Sequence, residues 1–345
     1  MGSGFRALLV TATAAASLDA SAIAASWSVV DLTPEGPGYA AAVSPGGIVV
    51  GCRNVGSTET RAFVYANGSR SDLPAPPGAT SCATAVNDNG MVAGRVNGEM
   101  TLWQNGVARG LGAGGNVTGI SDQGVLVGSM EDGTTNAAGG KNTRAFMWSN
   151  GVFNDLGAPE GSNAVGINHS NQIAVIANGK LFIYENGALR DLNASAGGAS
   201  GFNDRGEIVG GTSFGHGPQE YIYDGTVHAI PGAPGDGGAV AINNVEQVLA
   251  SGEGIYGTLV EAGQFVALDT LASRAGGSTT TTWHHMEGKS INDRGWIVGQ
   301  GGSTDFHAFL LMPMDASSAP PTPAANPAAR MSARTWPLIR MTRAP

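Results

Sequence analysis

The densest run of side chains able to do chemistry is TTTTWHHMEG, residues 279–288. Trp283, His284, His285 and Glu287 put an aromatic plane, two imidazoles and a carboxylate within five residues. Stacking on a sugar or a flat ligand is the chemistry that set could perform. A metal site fits less well, because adjacent histidines in extended chain point to opposite sides. The alternative is a long loop with Trp283 tucked onto its neighbours. A second pattern is GTSFG, residues 211–215, which matches the Gly-x-Ser-x-Gly nucleophile elbow and would make Ser213 a catalytic serine. That elbow needs a strand turning into a helix, and Gly215-His216-Gly217-Pro218 is a poor helix start. In a chain with 54 glycines the pattern arises readily by chance. A hydrolase acting on esters or glycans through Ser213, or through a central site, is therefore the alternative reading. Calcium-loop, P-loop and dinucleotide fingerprints are absent from the sequence, and neither a metal nor another cofactor is expected.

The ends and the charge narrow the setting. Residues 1–25 read as a secretory signal: Arg6, an apolar stretch ALLVTATAAASL, then the small-x-small site Ala22-Ile23-Ala24. No stretch is long and apolar enough for a membrane span. Export permits a disulfide between Cys52 and Cys82, candidates in neighbouring units, with two buried free thiols as the alternative. Residues 315–345 are rich in Pro and Ala, lack periodicity, and carry four arginines against Asp315, a net +3. The chain total is −9, the signal is neutral, and the body between therefore carries −12. That balance excludes a nucleic-acid surface, which needs a basic patch.

The elements that must position any site come from a repeat that fills residues 26–314. An apolar strand ends in a turn of the Asn-Asp-x-Gly type, followed by a strand of the x-φ-Val-Gly type (φ, an apolar residue). A variable loop, a strand such as RAFVY, an Asn-Gly turn and a closing Asp-Leu complete the unit. The first turn recurs seven times: SPGG at Ser44, NDNG at Asn87, SDQG at Ser121, NHSN at Asn168, NDRG at Asn203, NNVE at Asn243 and NDRG at Asn292. Asn, Asp or Ser bonds its own backbone two residues on, and Gly or Asn accepts the positive φ of a tight turn. The residue before the turn is always bulky and the one before that always small, as in Val86 and Ala85 or Ile291 and Ser290. Small residues suit a crowded inner strand.

Units of 34 to 49 residues with four strands each predict an all-β fold, a seven-bladed β-propeller with four-stranded blades. An open β-solenoid is the alternative. The last unit stops at Pro313 without its Asp-Leu strand, while WSVVDL, residues 27–32, is a closing strand with nothing before it. Pairing the two completes the last blade and closes the ring. The motifs SINDRGWIVG…HAFLL, RAFMWSNGVFNDLG and AVNDNGMVAG resemble the HAF-repeat family of extracellular repeat proteins over about residues 27–313. The resemblance implies bacterial export and a repeat β architecture and carries no catalytic residues. His307 opens the HAF strand where Arg61 and Arg144 stand in other copies, which points to a structural role. Strand order puts the tight turns on one face and the long loops, such as those from Arg53, Glu131, Gly211 and Ser273, on the other. Variable loops on a rigid scaffold are the usual place for binding. The expectation is an exported monomer, a non-catalytic module that binds a glycan, a small molecule or a surface protein.

Overall fold

The computed structural model describes residues 23, 26–56, 58–135, 140–212, 219–231, 233, 237–252, 255–275 and 282–314. Apart from Ile23, the signal segment lies outside these residues, as do the 315–345 tail and Ser213. The described strands form five four-stranded antiparallel sheets and one seven-stranded sheet. The seven-stranded sheet is two such units sharing the 14-residue strand Val107–Ile120, which is the last strand of one and the first of the next. The sequence separates these units, but no proline interrupts the run between them. Gly112 at φ 76° and Gly115 at φ 150° bend the strand instead.

Turn chemistry follows the sequence closely. At the hairpins Asn67-Gly68, Asn105-Gly106, Asn150-Gly151 and Asn186-Gly187, the asparagines lie at φ 52–55° and the glycines at φ 74–88°. Positive φ at both central residues is the type I′ geometry that matches strand twist. The Val-Gly ending of the second strand has a separate cause. First strands carry a bulge three residues before the turn, for example between Ala83 and Ala85 and between Gly288 and Ser290. The bulge drives a carbonyl toward the second strand, so a Cβ on Gly299 would lie 1.8 Å from Glu287 O.

The strand that opens the chain, Trp27–Asp31, pairs antiparallel with His307–Pro313, with Trp27 opposite Pro313 and Asp31 opposite Phe309. It is thus the fourth strand of the last sheet. His307 fastens it, with Nδ1 2.9 Å from Asp31 Oδ2. Leu32 N donates to Ala308 O and Ala308 N to Thr33 Oγ1. The same closing Asp meets an arginine in other sheets, as in Arg53–Asp72 and Arg144–Asp155. A disulfide joins Cys52, in the second strand of the first sheet, to Cys82, in the first strand of the next.

Between sheets, the phenylalanines of the third strands, Phe63, Phe146 and Phe309, are fully buried. The small residue of each first strand lies where the next sheet presses in: a Cβ on Gly201 would sit 2.9 Å from Ala241 Cα. One element departs from the all-β expectation. Helix α1, Leu268–Ser273, follows the last strand of the sixth unit and buries Leu268, Leu271 and Ala272 against Trp27, Trp283 and Met286. The linker there is the longest in the repeat, and its LDTLA run places apolar residues at helical spacing.

Candidate functional site

The first strands of all seven units line a common axis, and the Asn-x-x-Gly turns surround one end of it. The first turn residues, Ser44, Asn87, Ser121, Asn168, Asn203, Asn243 and Asn292, are all buried. Each asparagine has two tasks. Its Oδ1 accepts from its own turn, as Asn87 does from Asn89 N and Met91 N at 3.1 and 3.0 Å. Its Nδ2 donates to the carbonyl of the first turn residue in the next unit. Asn87 reaches Ser121, Asn168 reaches Asn203, Asn203 reaches Asn243, Asn243 reaches Asn292, and Asn292 reaches back to Ser44 at 2.9 Å. Aspartate could do the first task and not the second, since a carboxylate has no donor. Ser44 and Ser121 cap their own turns through Oγ and are too short to span.

At those two gaps the second turn residue takes over. Gly46 N donates to Asp88 Oδ1, and His169 Nε2 stands 3.6 Å from Asp122 Oδ2. The second residues, Pro45, Asp88, Asp122, His169, Asp204, Asn244 and Asp293, form an outer tier of four carboxylates, one imidazole and one amide. His169 bonds Asp204 through both its backbone N–H, at 2.8 Å, and Nδ1. Asn244 Nδ2 bridges Asp204 and Asp293 at 2.6 and 2.9 Å. The hydrogen bond that the Asp204 carboxylate accepts raises the His169 pKa against the effect of partial burial, helped by the charges of Asp204, Asp122 and Asp293. Burial pushes the Asp204 carboxyl up, yet the His169 amide, the Asn244 amide and the His169 ring together hold it below the ordinary carboxylate value.

These tiers enclose a cavity of about 270 Å³. Its floor is the bulky residue before each turn: Val43, Val86, Ile120, Ile167, Phe202, Ile242 and Ile291. Beyond that apolar ring the axis continues into a second space of about 270 Å³, lined by the small and bulged residues of the first strands, with Lys289 as its one charged side chain among the described residues. The mouth is equipped to hold a donor-bearing, positively charged group over an apolar floor. The Ser44 and Ser121 hydroxyls accept from backbone N–H groups of their own turns.

The residues singled out from the sequence stand elsewhere. Trp283 is 8% exposed, with its ring edge-on to Phe309 at 5.9 Å, so its face is not a stacking platform. The neighbouring apolar side chains of α1 and Met286 account for that burial. His284 and His285 are exposed, and His285 stacks on Tyr256 with centroids 4.1 Å apart. Glu287 is half-buried and meets Lys289 and Gln300. Of the four, Trp283 is thus buried, Glu287 half-buried and the two histidines exposed. Among the described residues no cluster of three or more His, Cys, Asp or Glu could hold a metal. The axial mouth was missed because its chemistry is spread over seven units. Reading the second turn residue down the repeat (P, D, D, H, D, N, D) exposes it.

No family model matches the chain, and no curated protein does. Solved structures do. An oligogalacturonate lyase in complex with manganese is 11% identical with a TM-score of 0.56, over 84% of this chain and 94% of that one. The β-propeller domain of the Trilobed protease from Pyrococcus furiosus is 14% identical with a TM-score of 0.51, over 81% and 94%. Acylaminoacyl peptidase from Pyrococcus horikoshii is 13% identical with a TM-score of 0.50, over 79% of this chain, which spans half the length of that one. At these identities the likeness is one of fold, and the fold is that of the β-propellers. No described helix is long and apolar enough to cross a membrane.

Proposed function

We propose that the chain is an exported, non-catalytic binding module of the HAF-repeat kind. In this reading seven four-stranded blades close into a ring, and the N-terminal strand completes the last. The ligand presents an amine to the axial mouth on the tight-turn face. The observation that carries the reading is the outer tier, in which Asp122, Asp204 and Asp293 face a cavity with an apolar floor and are held in place by Asn244 and His169. Fixed acceptors need no reorganisation on binding, which preserves affinity. The mouth, rather than the long-loop face favoured from the sequence, is the stronger candidate for a charged ligand. The disulfide between Cys52 and Cys82 fits an oxidising compartment.

Calorimetric titration with butylamine and spermidine tests this. Binding should be weakened by salt and by Asp204→Asn or Asp293→Asn, and butanol should not bind. Amine binding that ignores both substitutions refutes the site. Ester hydrolysis by the wild type, lost in a folded Ser213→Ala variant, would replace the binding module with the hydrolase.

A further inference from the structure

The other end of the molecule carries a larger cavity, of about 510 Å³, that the axial reading leaves unused. It opens where the second and third strands of the fourth unit are joined by the two-residue turn Asn178-Gly179. The linker Gly197–Ser200 forms the far wall.

Its chemistry contrasts with the mouth. No charged residue lines it among the described residues, in a body of net −12. The lining offers hydroxyls and carboxamides instead: Ser129, Ser200, Asn116 and Asn163. Ser129 is 8% exposed, Asn116 is half-buried and Asn163 is exposed. Glycines 161, 179, 197 and 198 bring bare backbone to the surface, so main-chain groups add to the same neutral set.

We propose that this cavity binds an uncharged glycan. Hydroxyls and carboxamides both donate and accept, which matches a sugar ring, and the absence of charge leaves no counter-ion to satisfy. The volume lies within the range of small-ligand sites. A peptide fits less well. Strand addition needs a regular free edge, and the strand bordering the cavity, Asn163–Ile167, is interrupted by the bulge at Val165. The space continues toward the axis, sharing Thr118, Val165 and Ser200 with the inner chamber, so a chain of sugar units has room to extend.

The test is calorimetric titration of the full chain with cellohexaose, xylohexaose, fully N-acetylated chitohexaose and an uncharged, end-blocked Gly-Ser peptide, at low and high salt. At least one glycan should bind, with an affinity indifferent to salt. Ser129→Val and Asn163→Asp should each weaken it about tenfold, the loss of roughly one hydrogen bond. Asn163 is exposed, so its variant reports on binding even if the buried Ser129 variant unfolds. Failure of all three glycans to bind, binding of the peptide in their place, or wild-type affinity in folded variants overturns the proposal. Since the probes are uncharged and the substitutions lie away from the mouth, none of these results bears on amine binding there.

Discussion

Asn292 offers the sharpest test of how the axis is held together, because its amide joins the last sheet to the first. Its side chain is 5% exposed, Oδ1 accepts from Arg294 N and Trp296 N at 3.1 Å each, and Nδ2 donates to Ser44 O at 2.9 Å. Two substitutions separate these tasks. Serine keeps an acceptor for its own turn, as Ser44 and Ser121 already do, and loses only the link. Removing that bond and leaving the Ser44 carbonyl short of a donor should cost about 1–2 kcal/mol. Aspartate keeps the shape and both turn bonds but sets a carboxylate against a carbonyl in a buried site. An uncompensated buried charge raises the cost to roughly 3–5 kcal/mol at neutral pH. The sign of the pH dependence follows. Burial and the facing carbonyl raise the folded-state pKa of the new carboxyl above the unfolded value of about 3.9. The penalty is therefore full above the raised value and fades as pH falls through it. Urea denaturation at neutral and mildly acid pH, with unchanged m-values, reads both effects. If Asn292→Asp is as stable as Asn292→Ser at neutral pH, or both match the wild type, the amide does not join the two sheets and the argument for closure at the turns fails.

Three further outcomes are expected. Gly299→Ala should cost about 2–4 kcal/mol by urea denaturation, because the new Cβ would lie 1.8 Å from Glu287 O; a neutral result would mean the bulge yields easily. Reducing the Cys52–Cys82 bond, which spans 30 residues, should cost about 3–4 kcal/mol in the chain-entropy description. Comparison of denaturation midpoints with and without reductant checks it, and no shift would count against the bond. His169, whose pKa is raised by its bond to Asp204, contributes stability that is full below about 6.5 and lost as pH rises through the raised value. Amine affinity should move the opposite way, growing as the imidazolium loses its charge, and His169→Asn should flatten both profiles in calorimetry and imidazole NMR.

Much of the fold was legible because its determinants are local. An Asn-Gly pair between apolar runs can hardly be anything but a hairpin turn, and seven copies of one turn gave the unit boundaries. The orphan strand 27–32 could be matched to the incomplete last unit because the Asp-Leu signature names its place. The shared strand Val107–Ile120 was not legible, since a glycine run reads as a loop until its bend is seen. Nor was the burial of Trp283: the residues that cover it, Phe309 and the side chains of α1, are distant or belong to a helix that the strand pattern hides. The candidate site was the least legible part. Each unit contributes only a few neighbouring side chains to it, so no window of sequence contains more than a fraction of the chemistry.

The two turn positions divide the work in a way that explains why one varies more in chemistry than the other. The first residue lies in the buried tier and must accept from its own turn, which confines it to Asn or Ser, and only Asn also reaches the next unit. The second residue stands at the mouth, where proline, aspartate, histidine and asparagine are all accommodated without disturbing the hairpin below. The rim can therefore vary in charge where it does not itself join neighbouring units, as Asp88 and His169 do. It cannot change one residue at a time without consequence, however. Asn244 donates to Asp204 and Asp293 together, and His169 faces Asp122 and Asp204. Groups in one hydrogen-bonded network do not act additively, so the charge that a ligand meets at the mouth is a property of the tier rather than of any single aspartate.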